Sequence, residues 1–481
     1  MIATYPETSG KCLINGEWRT VDKTADVINP AHTHEVVGKV ALCSNEVVNE
    51  AIESANQAFK EWSCSDINDR SDRMKKAAEE LAQIVEENVT LYVRENGKAL
   101  VEAKKDLLRC VDVMKGSAQE LLEWWKPEKY MDGQNVQIRR RPRGVTAIIT
   151  PWNSPMVLTF KRVVPAVLAG NTVVVKPATN CPLTIMNFLK VLASHFPVGV
   201  INIVTGSGRE IGDKLCSDSR VKTIAFVGGT ETGKDIMKKS SSTLQKIFME
   251  LGGNDPAIIL EDANLDKDAI ERLKMGVLRA AGQVCSAIKR IYVHESRYDE
   301  LVEKLTKSFE RVVVGDGIQP DVTMGPLNNE SQFNYVTGLL ERTLQTGANV
   351  VTAGIQLDPE TWDHGYFMLP SIVTGAQQDS EIVQAEQFGP VIPILSFSTN
   401  DQAVEMANDS QFGLRASIWT ESEEKAIEVA DRLEAGAVFH NNHTVFKDLR
   451  LDFPGLKESG LSRETRHGSL ELFADSYGFG D

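Results

Sequence analysis

Apolar positions along the chain change their spacing twice. From residue 46 to 125 they recur at three- and four-residue steps. Ala51, Ala55, Ala58, Phe59 and Trp62 form one such set, and Ala77, Ala78, Leu81, Ile84 and Val85 another. That period puts each set on one face of an amphipathic helix. Beyond residue 143, short continuous runs rich in Val and Ile take over, at 145–149, 172–175, 200–204, 221–227, 247–249 and 256–260. Helical patterns, for example at 184–195 and 230–239, separate most of them. Strands that are apolar on both faces and alternate with helices predict a parallel sheet covered on both sides. A second series near 291–294, 389–397, 415–419 and 436–441 predicts a second α/β unit in tandem. Residues 126–143 break the alternation. A turn signal at Asp132-Gly133 between polar flanks predicts a hairpin standing outside both sheets.

Composition narrows the class. At roughly 100–200 residues per domain, 481 residues imply two to four domains. A hydrophobic share of 42% and a charged share of 25% are those of a globular chain, which excludes disordered, collagenous and disulfide-framework readings. The net charge of −15 opposes non-specific attraction to nucleic acid or an anionic membrane. The one basic cluster, Arg139-Arg140-Arg141 with Arg143, is too small to reverse this. No apolar run approaches the ~20 residues of a membrane span, and MIATYPETSG has no signal-peptide pattern. Seven cysteines, sparse and odd in number, fit a reducing compartment. The expectation is a cytoplasmic protein without nucleic-acid or membrane partners.

Two glycine-bearing turns follow strands. Gly206-Ser-Gly208-Arg-Glu-Ile-Gly212 is one residue too long for the dinucleotide fingerprint, and reads equally as a phosphate turn or a tight strand-to-helix turn. Gly228-Gly-Thr-Glu-Thr-Gly233-Lys234 matches a P-loop but has Asp235 where magnesium needs Ser or Thr, so the ATPase reading fails. What remains is a helix N-terminus able to face an anion. No cysteine pair or histidine motif has metal-site spacing, so no metal is expected. No G-x-S-x-G elbow suggests a serine hydrolase. Cys285 sits in the small-residue run Ala280-Ala-Gly-Gln-Val-Cys285-Ser-Ala, which leaves room around a sulfur. It is either a nucleophile or an inert packing group. Glu250, at a strand end before Leu251-Gly252-Gly253, suits a general base or a simple turn.

Taken in order, Pro151-Trp152-Asn153, Lys176-Pro177, Phe226 to Gly233, Glu250-Leu-Gly-Gly253, Gly282-Gln-Val-Cys285, Glu386-Gln-Phe388-Gly-Pro390 and Lys457-Glu-Ser-Gly460 resemble the aldehyde dehydrogenase superfamily. The resemblance runs from Ile14-Asn-Gly-Glu-Trp18 and Ile28-Asn-Pro30 to Arg463-Glu464. It implies an α/β fold with a Rossmann-like NAD(P)-binding domain (1–125 and 144–251) and an α/β catalytic domain (252–452). A small β oligomerisation element (126–143 and 453–481) would complete it, giving a homodimer or homotetramer. It further implies oxidation of a small-molecule aldehyde to the acid. Cys285 would be the nucleophile, with the Asn153 amide and the Cys285 N–H as oxyanion donors, and Glu250 would activate water against the thioester.

For the cofactor, the resemblance implies Trp152 and Lys176 on the adenosine side, Gly228, Gly229, Thr230 and Gly233 around the pyrophosphate loop, and Leu251 as a further cofactor contact. Glu386 and Phe388 would meet the nicotinamide side. Three positions depart from the usual pattern: Thr179 stands for Glu, Gly229 for Ser and Pro454 for Gly. Without the carboxylate that repels a 2′-phosphate, Thr179 together with Lys176 and Arg209 favours NADP mildly over NAD. Lys161 falls where semialdehyde-oxidising relatives carry a cation for the substrate's distal carboxylate, although a structurally paired lysine is the alternative. Transfer of the acyl group to CoA, or a catalytically silent protein on the same fold, are the rival readings; Glu250 argues against the first and retention of Cys285, Glu250 and Asn153 against the second.

Overall fold

A computed structural model describes residues 6–130, 136–443, 455–461 and 469–480. The helical region resolves into four helices, Asn45–Trp62, Ile67–Gln83, Val85–Asn96 and Leu100–Trp124. Ser44 and Asp66 cap the first two by accepting backbone N–H groups with their side chains. Ala51, Ala55, Trp62, Ala77, Ala78, Leu81 and Val85 are all buried, as their spacing requires.

The first sheet has seven strands. Its order is Lys246–Glu250, Val221–Val227, Val145–Ile149, Thr172–Lys176, Ile201–Ile203, Lys11–Ile14 and Glu17–Thr20. The five from residue 145 onward are parallel. From Val145–Ile149 the chain steps outward through Thr172–Lys176 and Ile201–Ile203. It then returns to the other side for Val221–Val227 and Lys246–Glu250. The strand order therefore reverses between Val145–Ile149 and Val221–Val227, and the loops leaving these two C-terminal ends frame a crevice. The antiparallel hairpin Lys11–Ile14/Glu17–Thr20 carries no period-2 pattern long enough to announce itself. Asn15 and Gly16, both at positive φ, make its turn.

The second sheet also has seven strands: Asn349–Thr352, Ser371–Thr374, Val391–Phe397, Ile288–His294, Asp255–Ile259, Arg415–Trp419 and Ala437–His440. Only the edge strand Asn349–Thr352 is antiparallel.

The hairpin expected at 126–143 forms from Glu128–Tyr130 and Val136–Pro142, and Ala474–Phe479 adds a third strand. Its turn at Asp132-Gly133 lies outside the described residues, as do Pro454, Arg463 and Glu464. Ahead of that third strand, Leu470–Phe473 is a buried 3-10 turn. The third strand pairs with Val136–Pro142 within the chain, so the open edges are those of Glu128–Tyr130 and Ala474–Phe479. The basic cluster is consumed here. Arg140 pairs with Glu128, Arg143 with Asp475 at 2.8 Å, and Arg139 and Arg141 lie over Phe479 and Tyr477.

Candidate active site

Cys285 follows an unusual stretch of backbone. Ala280, Ala281 and Gly282 take φ of 50°, 55° and 74°, three left-handed residues in a row. The alanines adopt this conformation at a cost of order 1 kcal/mol each. At Gly282 a Cβ would lie 2.1 Å from the Gly389 carbonyl oxygen, so no other residue fits. The small residues thus serve a tight turn that aims Cys285, a role the sequence pattern did not reveal. Lys289, almost fully buried, ties this turn from below; its ammonium donates to the carbonyls of Val284 at 2.8 Å and Cys285 at 2.7 Å.

Glu250 ends its strand facing Cys285. The thiol donates to Glu250 Oε1 at 3.6 Å, while Arg162 Nη2 donates to Oε2 at 3.0 Å. The strand end is held on its far side by the Lys457-Glu-Ser-Gly460 segment: Leu251 N–H donates to Ser459 O and Leu461 N–H to Met249 O. Gly253 packs against the Cys285 carbonyl, where a Cβ would approach to 2.6 Å. Burial, then the Glu250 charge, pushes the Cys285 thiol up to about 12, with Lys289 and Arg415 opposing. At neutral pH the resting residue is therefore a thiol, with a carboxylate acceptor in contact. Asn153, buried, donates through Nδ2 to the Gln283 carbonyl at 2.8 Å. The Cys285 backbone N–H has no acceptor among the described residues.

Two cavities meet at Asn153, Leu158 and Cys285. One, of about 270 Å³, occupies the crevice at the strand-order reversal. It is lined by Trp152, Gly228, Gly229, Leu251, Glu386 and Phe388, six of the eleven cofactor residues expected from sequence. Trp152 meets Phe388 edge-on at 5.6 Å, and both line the crevice together with Cys285. Phe388 is held at φ 51° by Gln332, whose amide donates to the Gln387 and Phe388 carbonyls. Glu386 accepts the Gly253 N–H at 3.1 Å and faces Lys289 at 3.6 Å.

Lys176, Thr179, Arg209, Thr230 and Gly233 lie outside that cavity lining. Lys176 ends its strand with an almost fully buried ammonium that makes no hydrogen bond or ion pair among the described residues. Burial lowers it to about 8. Thr179 is half-buried in the following turn, and Arg209 is exposed in the first turn of helix Gly208–Ser217. Ser207 caps that helix, so the first glycine turn is a strand-to-helix turn with an open N-terminus. Thr230 donates to the Glu458 carbonyl at 3.4 Å, and Gly233 is a contact glycine, where a Cβ would meet Leu251 at 2.7 Å. Gly229 has open space at its Cβ position, so the departure from Ser there is not steric.

The second cavity, about 240 Å³, holds Lys161 together with Ser154, Val157, Val284 and Ser286. Sequence reasoning missed Arg162, Lys289, Gln283 and Gln332. Gln332 acts from a distant stretch of chain, and the other three sit beside marked residues but carry no spacing signal for the contacts they make. Among the described residues no group of three or more His, Cys, Asp or Glu side chains is placed to hold a metal, and no helix is long and apolar enough to cross a membrane.

A buried, unpartnered ammonium at a strand end, a glycine loop opening a helix and an aromatic-walled crevice beside the thiol fit a nicotinamide dinucleotide. Comparison with known proteins agrees. The aldehyde dehydrogenase family profile matches residues 18–476. The chain is 34% identical over 476 residues to a betaine aldehyde dehydrogenase of Bacillus subtilis (strain 168), covering 96% of this chain and 95% of the relative. It is 32% identical over 468 residues to the alpha-ketoglutaric semialdehyde dehydrogenase of the same organism, covering 96% of each. A crystal structure of betaine aldehyde dehydrogenase from Staphylococcus aureus in complex with NAD+ superposes with a TM-score of 0.92 at 31% identity, over 98% of this chain and 94% of that one.

Proposed function

Given that the chain belongs to the aldehyde dehydrogenase family, whose reaction is nicotinamide-linked aldehyde oxidation, we propose that Cys285, Glu250 and Asn153 carry that reaction through a thioester hydrolysed by water. The observation that carries this reading is the position of Cys285. It stands where the two cavities meet, with its sulfur 3.6 Å from Glu250.

Each chain residue has a chemical task. The Cys285 sulfur loses its proton to solvent and, as a thiolate, attacks the aldehyde carbon entering from the Lys161 side to form a thiohemiacetal. The Asn153 amide and the Cys285 N–H stabilise the oxyanion, a contribution of ~100- to 1000-fold for one such donor. Bound nicotinamide supplies the hydride acceptor. Glu250 then takes a proton from the water that hydrolyses the thioester, releasing the acid and restoring the thiol. Trp152, Phe388, Glu386 and Leu251 would hold the nicotinamide half of the dinucleotide. Gly228, Gly229, Thr230 and the helix packed through Gly233 would hold its phosphates, and Lys176 its adenosine end.

Cofactor choice falls to Thr179. A carboxylate there would repel a phosphate of about −1.5 to −2 charges, whereas a hydroxyl donates to it. Lys176 supplies a buried cation close by, and exposed Arg209, in the first turn of helix Gly208–Ser217, is the second cation of the reading. NADP is used at least as well as NAD. Thr179→Glu should move the ratio of kcat/KM values toward NAD by ~10-fold or more. A wild type that strongly prefers NAD, unaltered by the substitution, would refute this assignment.

The domain roles follow the same reading: 1–125 and 144–251 bind the dinucleotide, 252–452 carry the catalytic thiol, and 126–143 with 453–481 join subunits. The two open edges of the three-stranded sheet need covering, so a homodimer or homotetramer is expected. Light scattering at micromolar concentration should give two or four times 53.1 kDa, and a sharp monomer mass would exclude it.

A further inference from the structure

A closed ring of buried hydrogen bonds runs behind the Asn153 amide. Asn153 Nδ2 donates to the Gln283 carbonyl at 2.8 Å. The Gln283 side chain is pinned at both ends: Nε2 donates to the Ala280 carbonyl at 3.0 Å, and Oε1 accepts the Asn328 backbone N–H at 2.9 Å. Asn328 Nδ2 donates in turn to the carbonyls of Glu95 at 3.3 Å and Asn96 at 3.1 Å, the last two residues of helix Val85–Asn96. Asn96 Nδ2 donates to the Trp152 carbonyl at 2.8 Å, one peptide bond from Asn153, and there the ring closes. The helix end is anchored as well, because the Glu95 carboxyl accepts the Leu183 and Thr184 N–H groups at 2.7 Å. Asn96, Asn153, Gln283 and Asn328 are each 6% exposed or less. A fully paired polar ring in a buried setting is rigid, since breaking any link strands a buried polar group.

The ring determines what the Asn153 amide offers. An amide nitrogen carries two hydrogens, and the Gln283 carbonyl takes one, leaving the other to donate. Reversing the amide would set its oxygen against that carbonyl, so the nitrogen end is fixed. Asn153 lines both cavities beside Cys285, whereas Asn328 lines neither. We propose that Asn328 is a positioning residue for the reaction, holding the Asn153 amide through Gln283 and Asn96 so that its second N–H meets the oxyanion formed at the aldehyde carbon. The proposal rests on the reading that Asn153 is an oxyanion donor. That charge develops only as the reaction proceeds, so Asn328 acts on rate and leaves substrate binding alone.

The test is a double-mutant cycle on the full chain, pairing Asn328→Leu with Asn153→Ala. Leucine matches asparagine in size and donates nothing to the Glu95 and Asn96 carbonyls. The readout is the stopped-flow rate of the first equivalent of reduced cofactor, with the best substrate from a panel of short aldehydes. Asn328→Leu should lower that rate about 10-fold, with KM for the aldehyde changed by less than about twofold. In the Asn153→Ala background the same substitution should cost less than about twofold, because the amide it positions is gone. Asn328→Ser keeps one donor and should fall between, and it supplies the cycle if the leucine variant does not fold. Alkylation of Cys285 by iodoacetamide forms no oxyanion and should keep its wild-type rate in every variant. Equal losses in both backgrounds, or slowed alkylation, would show that Asn328 supports the fold at large and overturn the positioning role. An unchanged rate in Asn328→Leu overturns it too. Wild-type turnover in Asn153→Ala overturns the oxyanion reading and the proposal with it. No reduced cofactor from any aldehyde overturns the reaction reading itself.

Discussion

Cys285→Ser should lower aldehyde-dependent cofactor reduction by at least ~1000-fold, which is about 4 kcal/mol of lost transition-state stabilisation. Two properties of sulfur account for this. A thiol forms a nucleophilic anion far more readily than a hydroxyl, and a thiolate leaves an acyl group more easily than an alkoxide. The surroundings hold the thiol protonated at rest, since burial and the Glu250 charge push it up to about 12. Below that value each pH unit multiplies the thiolate fraction by about ten. Alkylation of Cys285 by iodoacetamide, followed by mass mapping so that exposed Cys64 is read separately, should accelerate about tenfold per unit from pH 7 to 9. A flat profile would mean that the thiolate already exists at pH 7. Wild-type turnover in Cys285→Ser would remove the residue from the mechanism.

Glu250→Gln should separate the two halves of the reaction. A stopped-flow trace is expected to show one equivalent of reduced cofactor per site, followed by steady turnover slowed by ~100-fold or more. The burst survives because the substitution removes the negative charge that raises Cys285, so the thiolate forms more easily. Hydrolysis fails because a neutral amide takes no proton from water. Gln retains an oxygen able to accept from Arg162, which keeps that nearly buried guanidinium satisfied and the fold intact. If the burst vanished as well, Glu250 would be the obligatory base for the thiol, and water activation would pass to another group.

The electrostatics of the site separate into two regions with different tasks. Around the thiol, Glu250 opposes ionisation while Lys289 and Arg415 favour it, and Lys289 and Glu386 also position backbone. Lys289 gathers the Val284 and Cys285 carbonyls, and Glu386 accepts from Gly253. In the second cavity, Lys98, Lys105, Arg109, Lys161, Arg279 and Arg415 outnumber Glu102, Asp106 and Glu250. A chain of net charge −15 has carboxylates to spare, so an excess of cations along one cavity wall is a local arrangement that its composition does not force.

Much of this was legible in the amino-acid sequence. Period-3.6 and continuous apolar runs determined the helices and the buried parallel strands, because burial on one or two faces leaves a pattern that neighbouring residues carry themselves. Seven ordered motifs determined the family and pointed to Cys285, Glu250 and Asn153. Tertiary structure decided the rest. The hairpin at residues 11–20 joined the first sheet only because Leu13 pairs with Ile203, a partner 190 residues away. Ala280, Ala281 and Gly282 looked like space around a sulfur and proved to be a left-handed turn pressed against Gly389. Lys161 was the one cation the sequence marked for substrate, whereas Arg109, Arg279 and Arg415 converge on the cavity from three separate elements. Local spacing encodes which face of an element is buried. It does not encode which charges meet across elements, because that depends on how the finished sheets and helices pack.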